Sequence, residues 1–338
     1  MRHHVGSIIG LLLTATLAAP CPTLANQTDD DAPLEARCHD VAARGELAVL
    51  GRTGGIVTID IEDPARPREI GRMGVNATIR VVALDGDRAW LAGGAYGVAL
   101  VDISDPIAPR FLQRIDVPGK VLDVIPFAED RLLLAESRHG LSVMDVSDPA
   151  RARRTASVGT RDEVRALALQ DDLLATAEEH GGVRLFDLSR PDNPDELAEI
   201  DVEGALDVAF IESLLLVTAG KRGTLLFDVS ERRSPRAVGE IAAERSALTV
   251  IPHGRLALVG SGSAGVQILD PFPPDGPRAI KRVRLSGRFP AGRLAVSGHA
   301  VLVAADLAGF AVIDLEAVDD PHVLHPRSRR MRVGPTDD

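Results

Sequence analysis

Two short stretches carry the residues best suited to chemistry. "ESRHG" (136–140) and "EEHGG" (178–182) set Glu136, His139, Glu178 and His180 on neighbouring loops, the glutamates 42 and the histidines 41 residues apart. Imidazole and carboxylate together could ligate zinc or another divalent ion, which would make the protein a metal-dependent hydrolase or lyase. No tight pairing such as His-x-x-x-His accompanies them, and His and Glu in loops are commonly just solvated. "CHD" (Cys38, His39, Asp40) holds the letters of a thiol triad. On a strand His39 points away from both neighbours, so the three cannot form one site. No Gly-rich phosphate loop opens a helix, and no Gly-x-Ser-x-Gly elbow occurs. A single Trp (Trp90) and a single Tyr (Tyr96) leave little for stacking on a sugar or a cofactor ring.

A second set of charges recurs at longer spacing. Asp40, Arg80, Asp123, Arg165, Asp207, Thr249 and Arg293 are each followed by an apolar residue. Acid and base alternate along this series and the alternation breaks at Thr249, as it must once in a closed ring with an odd number of members. If these positions line a common channel, each charge should stand near an opposite one, with Thr249 lacking an ionic neighbour. Such a ring would either satisfy partly buried charges or form a polar ligand site at the channel mouth.

The elements that must position these residues come from a repeat. A Gly is followed five residues later by an Asp at Gly55/Asp60, Gly97/Asp102, Gly140/Asp145, Gly182/Asp187, Gly223/Asp228, Gly265/Asp270 and Gly309/Asp314. Successive Asp residues lie 42, 43, 42, 41, 42 and 44 apart. The third unit reads as four short strands: "VLDVIPF" (121–127), "RLLLAE" (131–136), "LSVMDVS" (141–147) and "RTASVG" (154–159). Four strands in about 42 residues describe a propeller blade, and no window shows the apolar spacing of a helix. The sequence therefore predicts an all-β, seven-bladed β-propeller of four-stranded antiparallel blades. The repeated Gly suits a positive φ or a close backbone approach, and the repeated Asp suits a turn that Pro helps to fix. Function should then lie where the copies differ.

"VALVDIS", "LSVMDVS", "VRLFDLS" and "FAVIDLE" resemble the LVIVD-repeat family. The resemblance spans roughly residues 38 to 326 and implies a β-propeller exported by bacteria or archaea; it implies little about activity. The sixth copy departs, with "VQILDPFPPDGP" in place of the Ser-Asp-Pro turn.

The net charge of −11, with 49 acidic against 38 basic residues, does not fit a nucleic-acid partner, which needs clustered cations. Residues 1–25 read as a signal peptide: a short basic start, an apolar run from Ile8 too short to span a bilayer, and small residues at Thr23 and Ala25 before the expected cleavage. The alternative is a lipoprotein anchored through Cys21, although Pro20 departs from that signal. Cleavage after Ala25 leaves Cys38 as the one cysteine, so packing rather than a disulfide must hold the fold. Residues 26–37 form a linker, 38–326 the propeller and 327–338 a charged tail. The expectation is an exported, monomeric, non-enzymatic scaffold that needs no cofactor, has no transmembrane segment, and binds a protein or a small polar ligand.

Overall fold

In every copy the residues between the repeated Gly and the repeated Asp form a β-strand. The structure is a computed structural model, and it describes residues 37–128, 130–285, 291–306, 309–315 and 322–324. Each repeat forms one small antiparallel sheet, and seven sheets are arranged in a ring. In blade 3 the strands are Asp123–Phe127, Arg131–Ala135, Leu141–Asp145 and Arg153–Val158, paired in that order from the channel outward. Blades 2 to 7 have four strands each. Blade 1 has Cys38–Arg44, Leu47–Asp60 and Arg68–Thr78. Its long middle strand doubles back: Ile61 N–H donates to Glu46 C=O at 2.8 Å, as Ile103 does to Asp87 and Val146 to Asp130 in the next two blades. Its content is the same four-strand blade, with the second and third strands fused.

Alternation along the strands gives each sheet two apolar faces, and each face packs on a neighbouring blade. The core is accordingly divided into seven hydrophobic clusters, one per blade interface. The cluster of Val41, Leu50 and Val57 with Leu302 and Val312 joins the first blade to the last. Backbone bonds between Cys38 and Asp306, both 3.0 Å, seal the same seam. The ring closes by packing and these bonds, with each blade built from its own stretch of chain.

The repeated Asp shapes the turn after the third strand. Asp60, Asp102, Asp145, Asp187, Asp228 and Asp270 each accept the N–H two residues on, at 2.7–3.1 Å. In the first three blades the other carboxylate oxygen takes an Arg eight residues on: Arg68, Arg110 and Arg153. The Ser104 hydroxyl and amide, with Arg110, hold the Asp102 carboxyl down at about 2.

The repeated Gly is fixed by geometry. All seven have φ between +81° and +145°. A Cβ on Gly140 would lie 2.2 Å from the Val158 carbonyl oxygen of the outer strand, and on Gly97 2.5 Å from that of Ile115. Gly140→Ala should therefore lose at least about 1–3 kcal/mol of unfolding free energy. Gly159→Ala, at an exposed position with nothing within 4 Å, should lose about 0.5 kcal/mol or less. Denaturant midpoints of the two variants check this; equal midpoints would contradict it.

Candidate functional site

The innermost strands converge on the axis, and their register decides which side chains meet there. Each is set by a backbone bond to the preceding blade: Ile79 N to Arg52 O, Val121 N to Gly94 O, Val164 N to Ser137 O, Ala247 N to Gly220 O, Ala291 N to Gly262 O and, across the seam, Cys38 N to Asp306 O. Two residues further along come Asp40, Val81, Asp123, Ala166, Thr249 and Arg293. Blade 5 adds Asp207, which sits opposite Thr218 as Asp123 sits opposite Ala135.

The layer at the mouth thus differs from the expected alternating ring at two places. Arg80 and Arg165 stand one residue before Val81 and Ala166, and a shift of one residue sends a side chain to the opposite side of the strand. Arg80 is exposed. Arg165 pairs with Glu179 at 2.6 Å, with side chains 40% and 32% exposed, so the pair contributes at most about 1 kcal/mol. The apolar residue used to align the strands follows the true layer position too (Val82, Leu167), which hid the offset. Spacing from the repeated Gly does not expose it either: Arg80 and Arg165 precede theirs by 17 residues, but so does Asp123, and Asp40 precedes its Gly by 15.

What the three buried carboxylates do is more specific than charge pairing. Asp40 accepts the N–H of Val41 at 2.9 Å on one oxygen and that of Val82, in the next blade, at 2.7 Å on the other. Asp123 bridges Val124 (3.0 Å) and Leu167 (2.9 Å) in the same way, and Asp207 bridges Val208 (3.0 Å) and Val250 (2.9 Å). Each carboxylate therefore clamps two inner strands together, joining blades 1 and 2, 3 and 4, and 5 and 6. Thr249 also has a partner in this layer: its hydroxyl donates to Asp207 Oδ2 at 2.6 Å.

Arg293 is the cation of the layer. It lies within the protein yet keeps surface on the channel, and no hydrogen-bond acceptor or carboxylate among the described residues is in contact with its guanidinium. Burial works against its charge, but the fields of Asp123, Asp40 and Asp207 outweigh burial and raise its pKa above the usual arginine value. Burial pushes the Asp40 carboxyl up to about 7 and that of Asp123 to about 6, against the pull of Arg293 and of the amide bonds.

The channel holds a cavity of about 460 Å³, lined by this layer and by residues further along the inner strands. Two residues along the inner strands of every blade but the second, its wall is Ala42, Ile125, Ala168, Ala209, Ile251 and Ala295. Small side chains at most of these positions leave the space open, and the layer is wholly apolar.

On the loop face, Glu136, His139, Glu178 and His180 do not come together. Glu136 and Glu178 are fully buried. Glu136 binds Arg154 at 2.7 and 2.9 Å, and Glu178 binds Arg184 Nε at 2.7 Å and the Arg161 amide at 2.9 Å. His139 is exposed, and exposed His180 pairs with Asp162 at 2.7 Å. Among the described residues no three His, Cys, Asp or Glu side chains are grouped as a metal ion would require. Sequence reasoning missed the arginines. Arg184 was the visible signal, because the same place in the other blades holds Val57, Ala99, Ser142, Leu225, Gln267 and Ala311. Cys38 is buried at the blade 1–blade 7 seam, while His39 reaches Thr53 Oγ1 at 3.0 Å. Cys21, the signal segment and the tail lie outside the described residues. No helix among the described residues is long and apolar enough to cross a membrane.

The raised carboxyls set a pH dependence. Between about pH 4 and pH 7 folded Asp40 and Asp123 hold protons that the unfolded chain has released, so their contribution to stability falls as pH rises through that window. The turn carboxylates act oppositely, but their stabilisation is lost only as pH falls below the ordinary range near 3.8. The melting temperature should be higher at about pH 5 than at about pH 8, and Asp40→Asn should flatten the difference. Thermal scans in matched ionic strength check this; a melting temperature that rises from pH 5 to pH 8 would contradict it.

Comparison with known proteins agrees with the geometry. The LVIVD repeat model matches residues 37–75 and 79–117, the first two blades. No curated protein matches the chain. Among solved structures, the crystal structure of the computationally designed Ika8 protein superposes with a TM-score of 0.63 at 13% identity, over 85% of this chain and 86% of that one. As many as 1559 chains of known structure match, so the likeness carries the fold and no activity. The chain is a seven-bladed β-propeller that carries LVIVD repeats.

Proposed function

We propose that the protein is an exported, non-enzymatic propeller that works as a rigid binding scaffold outside the cytoplasm. One observation carries this reading: the three carboxylates at the channel mouth are built into fixed inter-blade hydrogen bonds and line a preformed cavity. A site whose carboxylates are held by two strands each is preorganised for recognition. The signal-like residues 1–25 support export, with cleavage after Ala25. The alternative, a metal-dependent hydrolase or lyase on the loop face of blades 3 and 4, would need Glu136 and Glu178 as ligands. Both are instead buried and saturated by Arg154 and Arg184, and freeing either would leave a buried guanidinium or carboxylate unpaired.

The test combines address and activity. The protein recovered from the envelope fraction of its native cells should begin at Asn26 by mass spectrometry. Immobilised on a support, it should retain a molecule from an envelope extract, and a chelator should leave that retention unchanged. Turnover of an ester or phosphoester panel that a chelator abolishes, and that Glu178→Ala eliminates in a still-folded variant, would overturn the reading. An acylated Cys21 would move the scaffold to a membrane surface.

A further inference from the structure

The channel mouth combines two features that a purely structural charge cluster would not need together. One is Arg293, which lines the cavity and whose guanidinium, a group with five N–H donors, has no acceptor among the described residues in bonding range. A guanidinium presented this way matches a carboxylate bidentately. The other is spare acceptor capacity on the opposing carboxylates. An ionised carboxylate offers about four lone-pair positions. Asp40 and Asp123 each use two of theirs on backbone amides. Asp207 uses three, because Thr249 adds its hydroxyl. Spare acceptors in an acidic pocket fit an ammonium group. The next layer down is apolar and lined largely by alanine, with room for a short hydrocarbon chain.

Resting on the scaffold reading above, we propose that the channel mouth binds a small zwitterion of the aliphatic α-amino acid class, with Arg293 taking its carboxylate, Asp40 and Asp123 its ammonium, and the alanine-rich layer its side chain. A simple anion would meet three carboxylates without a compensating charge. A simple cation would meet Arg293. A molecule with both charges satisfies both sides, and the cavity of about 460 Å³ falls within the usual size of small-ligand sites. The clamp bonds hold Asp40 and Asp123 in place, so the ammonium subsite is set before the ligand arrives.

Calorimetric titration of the purified protein with L-alanine, L-valine and L-leucine tests this. At least one should bind saturably, with one site per chain. For the best binder, the amide (no carboxylate) and the deaminated acid (no ammonium) should each bind at least about tenfold more weakly. Arg293→Gln should lose at least about tenfold, and Arg293→Lys, which keeps the charge without the fork, should fall between. Arg80→Gln, outside the channel layer, should bind as the parent does. Circular dichroism and a cooperative melt establish that each variant is folded; if Arg293→Gln is not, the Lys variant and the two analogues decide. Absence of binding by all three amino acids at millimolar concentration overturns the proposal, as does equal binding of either analogue or full retention in Arg293→Gln. If envelope-extract capture persists when no amino acid binds, the ligand class is wrong and the scaffold reading stands; if both fail, both fall.

Discussion

Seven inner strands converging on one axis create a hydrogen-bonding problem. Each has a sheet partner on its outer side only, so the N–H groups along its inner edge need acceptors from elsewhere. Asp40, Asp123 and Asp207 solve this in pairs, each accepting one amide from its own strand and one from the next blade. Six of the seven equivalent amides are met by three side chains. The seventh blade presents Arg293 instead, and the odd number of blades makes some such exception unavoidable.

That solution has an electrostatic cost. Three carboxylates brought together out of bulk water repel one another, and burial raises the pKa of two of them. Arg293 offsets part of this through its field without forming a contact pair. The result is a polar layer over an apolar, alanine-lined one, a gradient that follows from the two-residue period of the inner strands. The outer parts of the blades need none of this. There the repeated Gly and Asp handle the turns locally and the apolar faces handle the interfaces.

How far this was legible in the sequence depended on how local the chemistry was. The Gly and Asp of each copy act within a few residues, through a positive φ and a bond to the amide two residues on, so their spacing alone revealed seven blades. The channel layer depends on register between blades. At Arg80 and Arg165 a single residue of offset changes which side chain faces the axis, and apolar residues on both sides concealed it. The carboxylates of Asp40, Asp123 and Asp207 were readable as channel residues, but their bonds to Val82, Leu167 and Val250 were not, since those amides lie 42 to 44 residues away and look like any other backbone. The ion pairs of the loop-face glutamates were hidden for a related reason. Their arginine partners stand across a hairpin or on the outer strand, at 6 and 18 residues' distance.

The central claim is that a buried carboxylate ties each pair of inner strands across the blade boundary. Amide hydrogen exchange measured by NMR at Val82 addresses it directly. In the parent protein the Val82 amide should be strongly protected, although it lies on an inner strand edge, and in Asp40→Ala its protection should drop while that of Leu167 and Val250 stays. Unchanged protection of Val82 on loss of Asp40, or an equal drop at all three amides, would contradict the account.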